Sequence, residues 1–134
     1  MTEDWVLIDT SAWIHALRPE GRADFKKCVF DTLALGRAAT TEMVILELAG
    51  GTRSEKDYVE LREDLEALQQ LSVTESIWQF AYDMGGLLRR KGVSVPATDQ
   101  LIASVAIKYR CTLLHSDKHF EFIANHVALS LWRP

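Results

Sequence analysis

The chain opens on an unbroken apolar run, Trp5-Val6-Leu7-Ile8, that stops abruptly at the polar Asp9-Thr10-Ser11. A run without polar alternation suits a strand covered on both faces, as strands of parallel sheets are. Thr112-Leu113-Leu114 repeats the arrangement and stops at His115-Ser116-Asp117. Residues 38–40, 71–73 and 127–131 are weaker strand candidates. Between these segments the apolar positions change period. Tyr58, Leu61, Leu65 and Leu68 recur at helical spacing, as do Ile77, Phe80, Ala81, Met84, Leu87 and Leu88. After a stop at Pro96, Leu101, Ile102, Val105, Ala106 and Tyr109 do so again. Strands alternating with amphipathic helices predict an α/β fold in which helices cover a mostly parallel sheet.

The 134 residues, 48% hydrophobic and 25% charged, are one domain's worth of ordinary globular chain, so a single domain over 1–134 is expected. Gly50-Gly51-Thr52 and the segment 92–97 read as punctuation within that domain, not as linkers. The net charge of −4 gives no electrostatic reason to expect nucleic acid, but it accords with several carboxylates kept to hold a cation. Cys28 and Cys111 lie far apart and form no C-x-x-C pair, which argues against structural zinc and for two reduced thiols. No stretch resembles a signal peptide or reaches the ~20 apolar residues of a membrane span, so a soluble, cytoplasmic protein is expected.

Ligands of open parallel sheets bind beyond the carboxyl ends of the strands. Asp9 and Asp117 each stand just past a predicted buried strand, and both emerge at one edge if those strands are neighbours. Asp99 opens the helix that feeds the second strand, which brings it to the same edge. Each has a plainer alternative: Asp9 as a helix cap, Asp99 as a complement to a helix dipole, Asp117 as a turn residue. Glu47 lies in the apolar helical stretch Glu42-Met43-Val44-Ile45-Leu46-Glu47-Leu48-Ala49, where a carboxylate needs a partner, with a helix-surface salt bridge as its alternative. Glu42 is about 140° away around the helix, so the two cannot serve one ion equally. Clustered carboxylates raise one another's pKa values, and a divalent cation resolves the conflict. Oxygen ligands favour Mg²⁺ or Mn²⁺, and such a site supports phosphodiester hydrolysis.

These segments resemble the PIN-domain family. Val6-Leu7-Ile8-Asp9-Thr10-Ser11-Ala12-Trp13-Ile14 is similar to its opening motif, and Glu47-Leu48-Ala49-Gly50-Gly51 to its helical glutamate and following glycine. Pro96-Ala97-Thr98-Asp99-Gln100-Leu101-Ile102-Ala103 and Leu113-Leu114-His115-Ser116-Asp117-Lys118-His119-Phe120 resemble its third and fourth acidic motifs. The ordered set spans nearly the whole chain, and its flavour is most similar to VapC toxins of toxin–antitoxin pairs. The resemblance implies a three-layer α/β/α sandwich with a mostly parallel central sheet of four or five strands. It also implies Mg²⁺- or Mn²⁺-dependent endoribonuclease activity on tRNA, rRNA or mRNA, a VapB-type antitoxin entering the active-site groove, and a homodimer. In that pattern Asp9, Asp99 and Asp117 hold the metal, Glu47 binds it or orients the attacking water, and Ser11 supports Asp9. Two departures bear on a second metal site: His115 stands where many PIN domains have threonine, and His119 where they often have another acid.

Either histidine could contact metal or substrate, although local hydrogen bonding is the plainer role. Arg89-Arg90-Lys91 is the one basic run; it either complements a helix C-terminus or contacts RNA phosphates together with Arg18, Arg22 and Lys26. Trp13, Trp78 and Trp132 fit a core or antitoxin-facing role better than base stacking. The rival readings are a catalytically degenerate PIN module acting in binding, a phospho-receiver domain and a flap-type DNA nuclease. The degenerate module should have lost acids that this chain retains. Receivers carry adjacent acids after the first strand, where Thr10-Ser11 stand here, and the chain has little room for a DNA-threading arch.

Overall fold

In the computed structural model, which describes residues 4–133, the apolar opening run forms strand β1 (Val6–Ile8), buried along its whole length. Strands β2 (Ala38–Thr40), β3 (Gln69–Gln70) and β4 (Thr112–Leu114) join it in a parallel sheet of order β3-β2-β1-β4. The helices are α1 (Thr10–Leu17), α2 (Ala23–Ala34), α3 (Glu42–Gly50), α4 (Glu55–Glu66), α5 (Glu75–Arg90), α6 (Ala97–Lys108) and α7 (Lys118–Ala124). They flank the sheet in the three-layer α/β/α arrangement, which is why β1 and β2 carry no polar face.

The chain steps outward from β1 to β2 to β3, then returns to the far side of β1 to lay down β4. Winding reverses between β1 and β4, and an open sheet leaves a crevice at such a point beyond its carboxyl edge. Ile8 pairs with Leu114 there, and the Asp9 amide donates to the Leu114 carbonyl at 2.9 Å. Two acid-bearing loops therefore start side by side.

The core beneath them is made of fully enclosed side chains, among them Leu7, Ile8, Leu113, Leu114, Ile102, Phe120 and Ile123. Helix α6 is buried from Leu101 through Ala106 without interruption. It is apolar nearly all round because it is enclosed nearly all round.

Two strand expectations need correction. Residues 71–73 are not the third strand: pairing falls on Gln69 and Gln70, an exposed edge, while Leu71 follows it into the core and its amide donates to Thr40 at 2.8 Å. Residues 127–131 make a single parallel bridge, Leu113 to Leu131, instead of a strand. The three predicted amphipathic helices all form, as α4, α5 and α6. Helices α2 and α7 add to the pattern read from the sequence. Both cysteines are free thiols, Cys111 buried and Cys28 partly so. Among the described residues no helix is long and apolar enough to cross a membrane.

Candidate active site

Each acid reaches the crevice by a different local route. Asp9 ends β1 and caps α1: its Oδ2 accepts from the Ser11 amide at 2.9 Å and from the Ser11 hydroxyl at 2.5 Å. Asp117 caps α7 in the same way, accepting from the His119 amide at 2.9 Å. Asp99 lies in the first turn of α6, where the helix N-terminus favours negative charge. The capping reading holds for Asp9 and the dipole reading for Asp99, while Asp117, read as a turn residue, caps a helix instead.

Burial makes the charges costly. Asp9 is only 3% exposed, and its carboxyl pKa is raised chiefly by that burial, with the Glu47 charge adding and the Ser11 hydrogen bonds opposing. Asp99 is pushed up to about 6, first by burial, then by the charges of Asp117 and Asp9; His119 pulls the other way. A pair of carboxylates this close cannot both ionise without a compensating cation.

His119 is the partner that the polypeptide itself sets between these carboxylates. Its Nδ1 lies 3.0 Å from Asp99 Oδ2 and 2.9 Å from Asp117 Oδ1. Ligand atoms of Asp99, Asp117 and His119 all fall within 4.8 Å of one another, the spacing of donors around a single ion. Asp9 stands outside that tight set but near enough to raise Asp99. The donors fit a divalent metal: carboxylate oxygens suit Mg²⁺ or Mn²⁺, and the single imidazole nitrogen is tolerated better by Mn²⁺.

Glu47 departs from its expected surroundings. The sequence sets it among leucines, but α3 sends Val44 and Leu48 inward and leaves Glu47 exposed beside Leu46, itself 66% exposed. Its partner is a hydroxyl, Thr10 Oγ1, which donates to Oε1 at 2.8 Å. Glu42, on the other side of α3, is occupied in accepting from the Val73 amide at 3.0 Å.

His115 has the local role foreseen for it. It is buried, its Nδ1 accepts from the Asp117 amide at 3.1 Å, and burial lowers its pKa. Arg18 closes α1 and lines a cleft of about 830 Å³ together with Thr10, Glu47 and Arg53. The basic run lies elsewhere. Arg89 and Arg90 occupy the last turn of α5 and Lys91 caps it, while Arg89 borders a cleft with Trp78 and Tyr82 that none of the four acids lines. Trp13 is buried, whereas Trp78 and Trp132 are 41% and 37% exposed.

Sequence reasoning assigned no role to Thr10 or Ser116 and set His15 aside. Thr10 and Ser116 each adjoin a motif acid, a signal that was there to be read. His15 is tied to Ser116 across 101 positions, and nothing in the sequence reports that contact.

Fold and site together define an α/β protein with an acidic pocket at the switch point of a parallel sheet. The PIN domain family model matches residues 6–125, and the chain belongs to that family. Among curated proteins it is similar to Ribonuclease VapC11 of Mycobacterium tuberculosis and to a VapC ribonuclease of Mycobacterium bovis. Each is 29% identical over 124 residues, covering 89% of this chain and 91% of the relative. Among solved structures it resembles DNA-bound VapBC from Salmonella typhimurium, with a TM-score of 0.78 and 17% identity over 97% of this chain and 98% of that one. VapBC2 from Rickettsia felis, bound to a promoter DNA fragment, gives 0.75 and 19% over 95% and 96%.

Proposed function

We propose that this protein is a VapC-type toxin: an endoribonuclease that hydrolyses RNA phosphodiester bonds with Mg²⁺ or Mn²⁺ and is neutralised by a VapB-type antitoxin. The observation that carries the reading is the meeting of Asp99, Asp117 and His119 within 4.8 Å, beside the buried Asp9. The names of its relatives, ribonucleases and members of VapBC pairs, support it. We further take the chain to act as one cytoplasmic domain, paired as a homodimer.

Asp9, Asp99 and Asp117 would hold the ion, with His119 as a fourth donor. When bound, the metal lowers the pKa of a water and neutralises charge that builds on the phosphate. The paired hydrogen bonds from Ser11 favour the ionised form of Asp9 and orient its carboxylate. Glu47, steadied by Thr10, is the group we assign to receive the proton of the attacking water. Arg18, on the cleft wall beside Glu47, is the basic residue we assign to RNA; Arg89, Arg90 and Lys91 are kept as an outlying phosphate contact.

The test is cleavage of a panel of tRNA, rRNA and mRNA by the parent, Asp9→Asn and Asp99→Asn with Mn²⁺ or Mg²⁺. The expected result is cleavage by the parent that stops on chelation and falls at least ~100-fold in either variant. Variants that cut as fast as the parent would remove the assignment. Expression without antitoxin should arrest growth; harmless expression of an active-site-intact chain would favour the degenerate binding module.

A further inference from the structure

Behind the acids a hydrogen-bond chain runs away from the site and ends on the turn between α1 and α2. The Ser116 amide donates to Ser11 Oγ at 2.9 Å, and the Ser11 hydroxyl donates to Asp9. Ser116 Oγ lies 3.1 Å from His15 Nε2. On its other side, His15 Nδ1 is met by the Arg22 backbone N–H at 3.1 Å.

A backbone N–H can only donate, so Nδ1 is an acceptor and carries no proton. The neutral ring then has its proton on Nε2, and His15 donates to Ser116. That assignment leaves the Ser116 hydroxyl proton with no acceptor among the described residues. Ser116 borders a cleft of about 410 Å³ whose charged lining is Arg22, Lys118 and Arg133 with Asp24, Asp117 and Glu121.

The histidine is held firmly enough to impose this orientation. Its ring stacks on Phe25 with centroids 5.0 Å apart and planes 14° from parallel. The following turn is pressed against its backbone at Gly21, where a Cβ would sit 1.8 Å from the His15 carbonyl oxygen.

We propose that the Ser116 hydroxyl donates a hydrogen bond to a phosphate oxygen of the RNA, and that His15 is the positioning residue that turns that hydroxyl donor into the cleft. The inference rests on the ribonuclease reading and extends it. A phosphodiester fits because its oxygens accept and never donate, matching a lone hydroxyl donor in a cleft that Lys118 and Arg22 also line, Arg22 in an ion pair with Asp24.

Four variants and one spectroscopic measurement test it. Ser116→Ala removes the donor. His15→Phe keeps a stacking ring but loses both hydrogen bonds. His15→Gln offers an acceptor and a donor at similar separation, and the double variant joins Ser116→Ala to His15→Phe. Under single-turnover conditions we expect Ser116→Ala and His15→Phe each to slow RNA cleavage about 10- to 100-fold. The double variant should be no slower than the slower single, because both losses act through one proton. His15→Gln should recover most of the parent rate. In the metal-free parent, ¹⁵N chemical shifts should show His15 protonated on Nε2.

Parent-like cleavage by Ser116→Ala, multiplying losses in the double variant, or a proton on Nδ1 would each overturn the inference. A His15→Phe chain that fails to fold leaves Ser116→Ala and His15→Gln to decide. If Asp99→Asn abolishes cleavage while Ser116→Ala does not alter it, this inference alone fails. A parent that cuts no RNA takes the ribonuclease reading with it.

Discussion

Asp99 carries an electrostatic cost that the fold accepts. Its carboxyl is pushed up to about 6 from an ordinary 3.8 by burial and by Asp117 and Asp9. The folded state therefore favours the protonated acid, and the associated stability is complete below pH ~4 and lost as pH rises through ~6. Asn has no proton to lose. Without metal, Asp99→Asn should be more stable than the parent at pH 7, on the order of 2 kcal/mol, and the gap should close as pH falls to 4. Urea denaturation at several pH values in chelator measures it, and a gap independent of pH would show that the carboxylate is not strained. Ser11 works in the opposite sense, since its two hydrogen bonds favour ionised Asp9. Ser11→Ala should weaken Mn²⁺ binding about 10- to 100-fold with little change in secondary structure, as calorimetric titration would show.

Among the elements, the turn from α1 to α2 leaves no room for a side chain at Gly21. Gly21 donates to the Arg18 carbonyl at 3.0 Å and lies against the His15 backbone too closely for any side chain. The nearest neighbour is main chain and cannot swing aside, so Gly21→Ala should cost about 2 kcal/mol or more in denaturation experiments. Because Gly21 lies against His15, the residue of α1 that reaches Ser116, cleavage should fall with it. Helix α2 itself buries Phe25, Val29 and Thr32, spaced four and three apart along one stripe. That stripe was present in the sequence but was diluted by the charged residues on the outer face. Helix α7 has only 7 residues, too short for a period to declare itself.

At the scale of the whole molecule, net charge and local charge tell different stories. The chain is acidic overall, and its most buried acids converge on one crevice, so metal-free protein is held below the stability its core would allow. A divalent ion that binds only the folded form would stabilise it by about 2.7 kcal/mol at one hundred times its Kd. Thermal melts should show Tm rising by several degrees with saturating Mn²⁺ and falling again on chelation. Asp99→Asn should start higher and respond far less. Equal Mn²⁺ shifts in parent and variant would place the ion elsewhere. Arg18 shares a cleft with Glu47, whereas the basic run sits at the C-terminus of α5, where cations complement the helix dipole.

Much of this protein was written in local chain chemistry. Uninterrupted apolar runs ending at Asp9 and just before Asp117 specified buried parallel strands with acids at their carboxyl ends, because only a doubly covered strand dispenses with a polar face. Helical periodicity likewise specified α4, α5 and α6. What folding alone decided was adjacency. Pairing of β1 with β4 puts Asp9 next to the Asp117 loop, and docking of α6 and α7 brings His119 between Asp99 and Asp117. The short strand at residues 69–70 and the exposed setting of Glu47 were equally hidden. An edge strand needs no apolar period, and the face a helix turns outward is set by its neighbours. Contacts such as His15 to Ser116 join residues with no common periodicity, so only the packed chain holds that information.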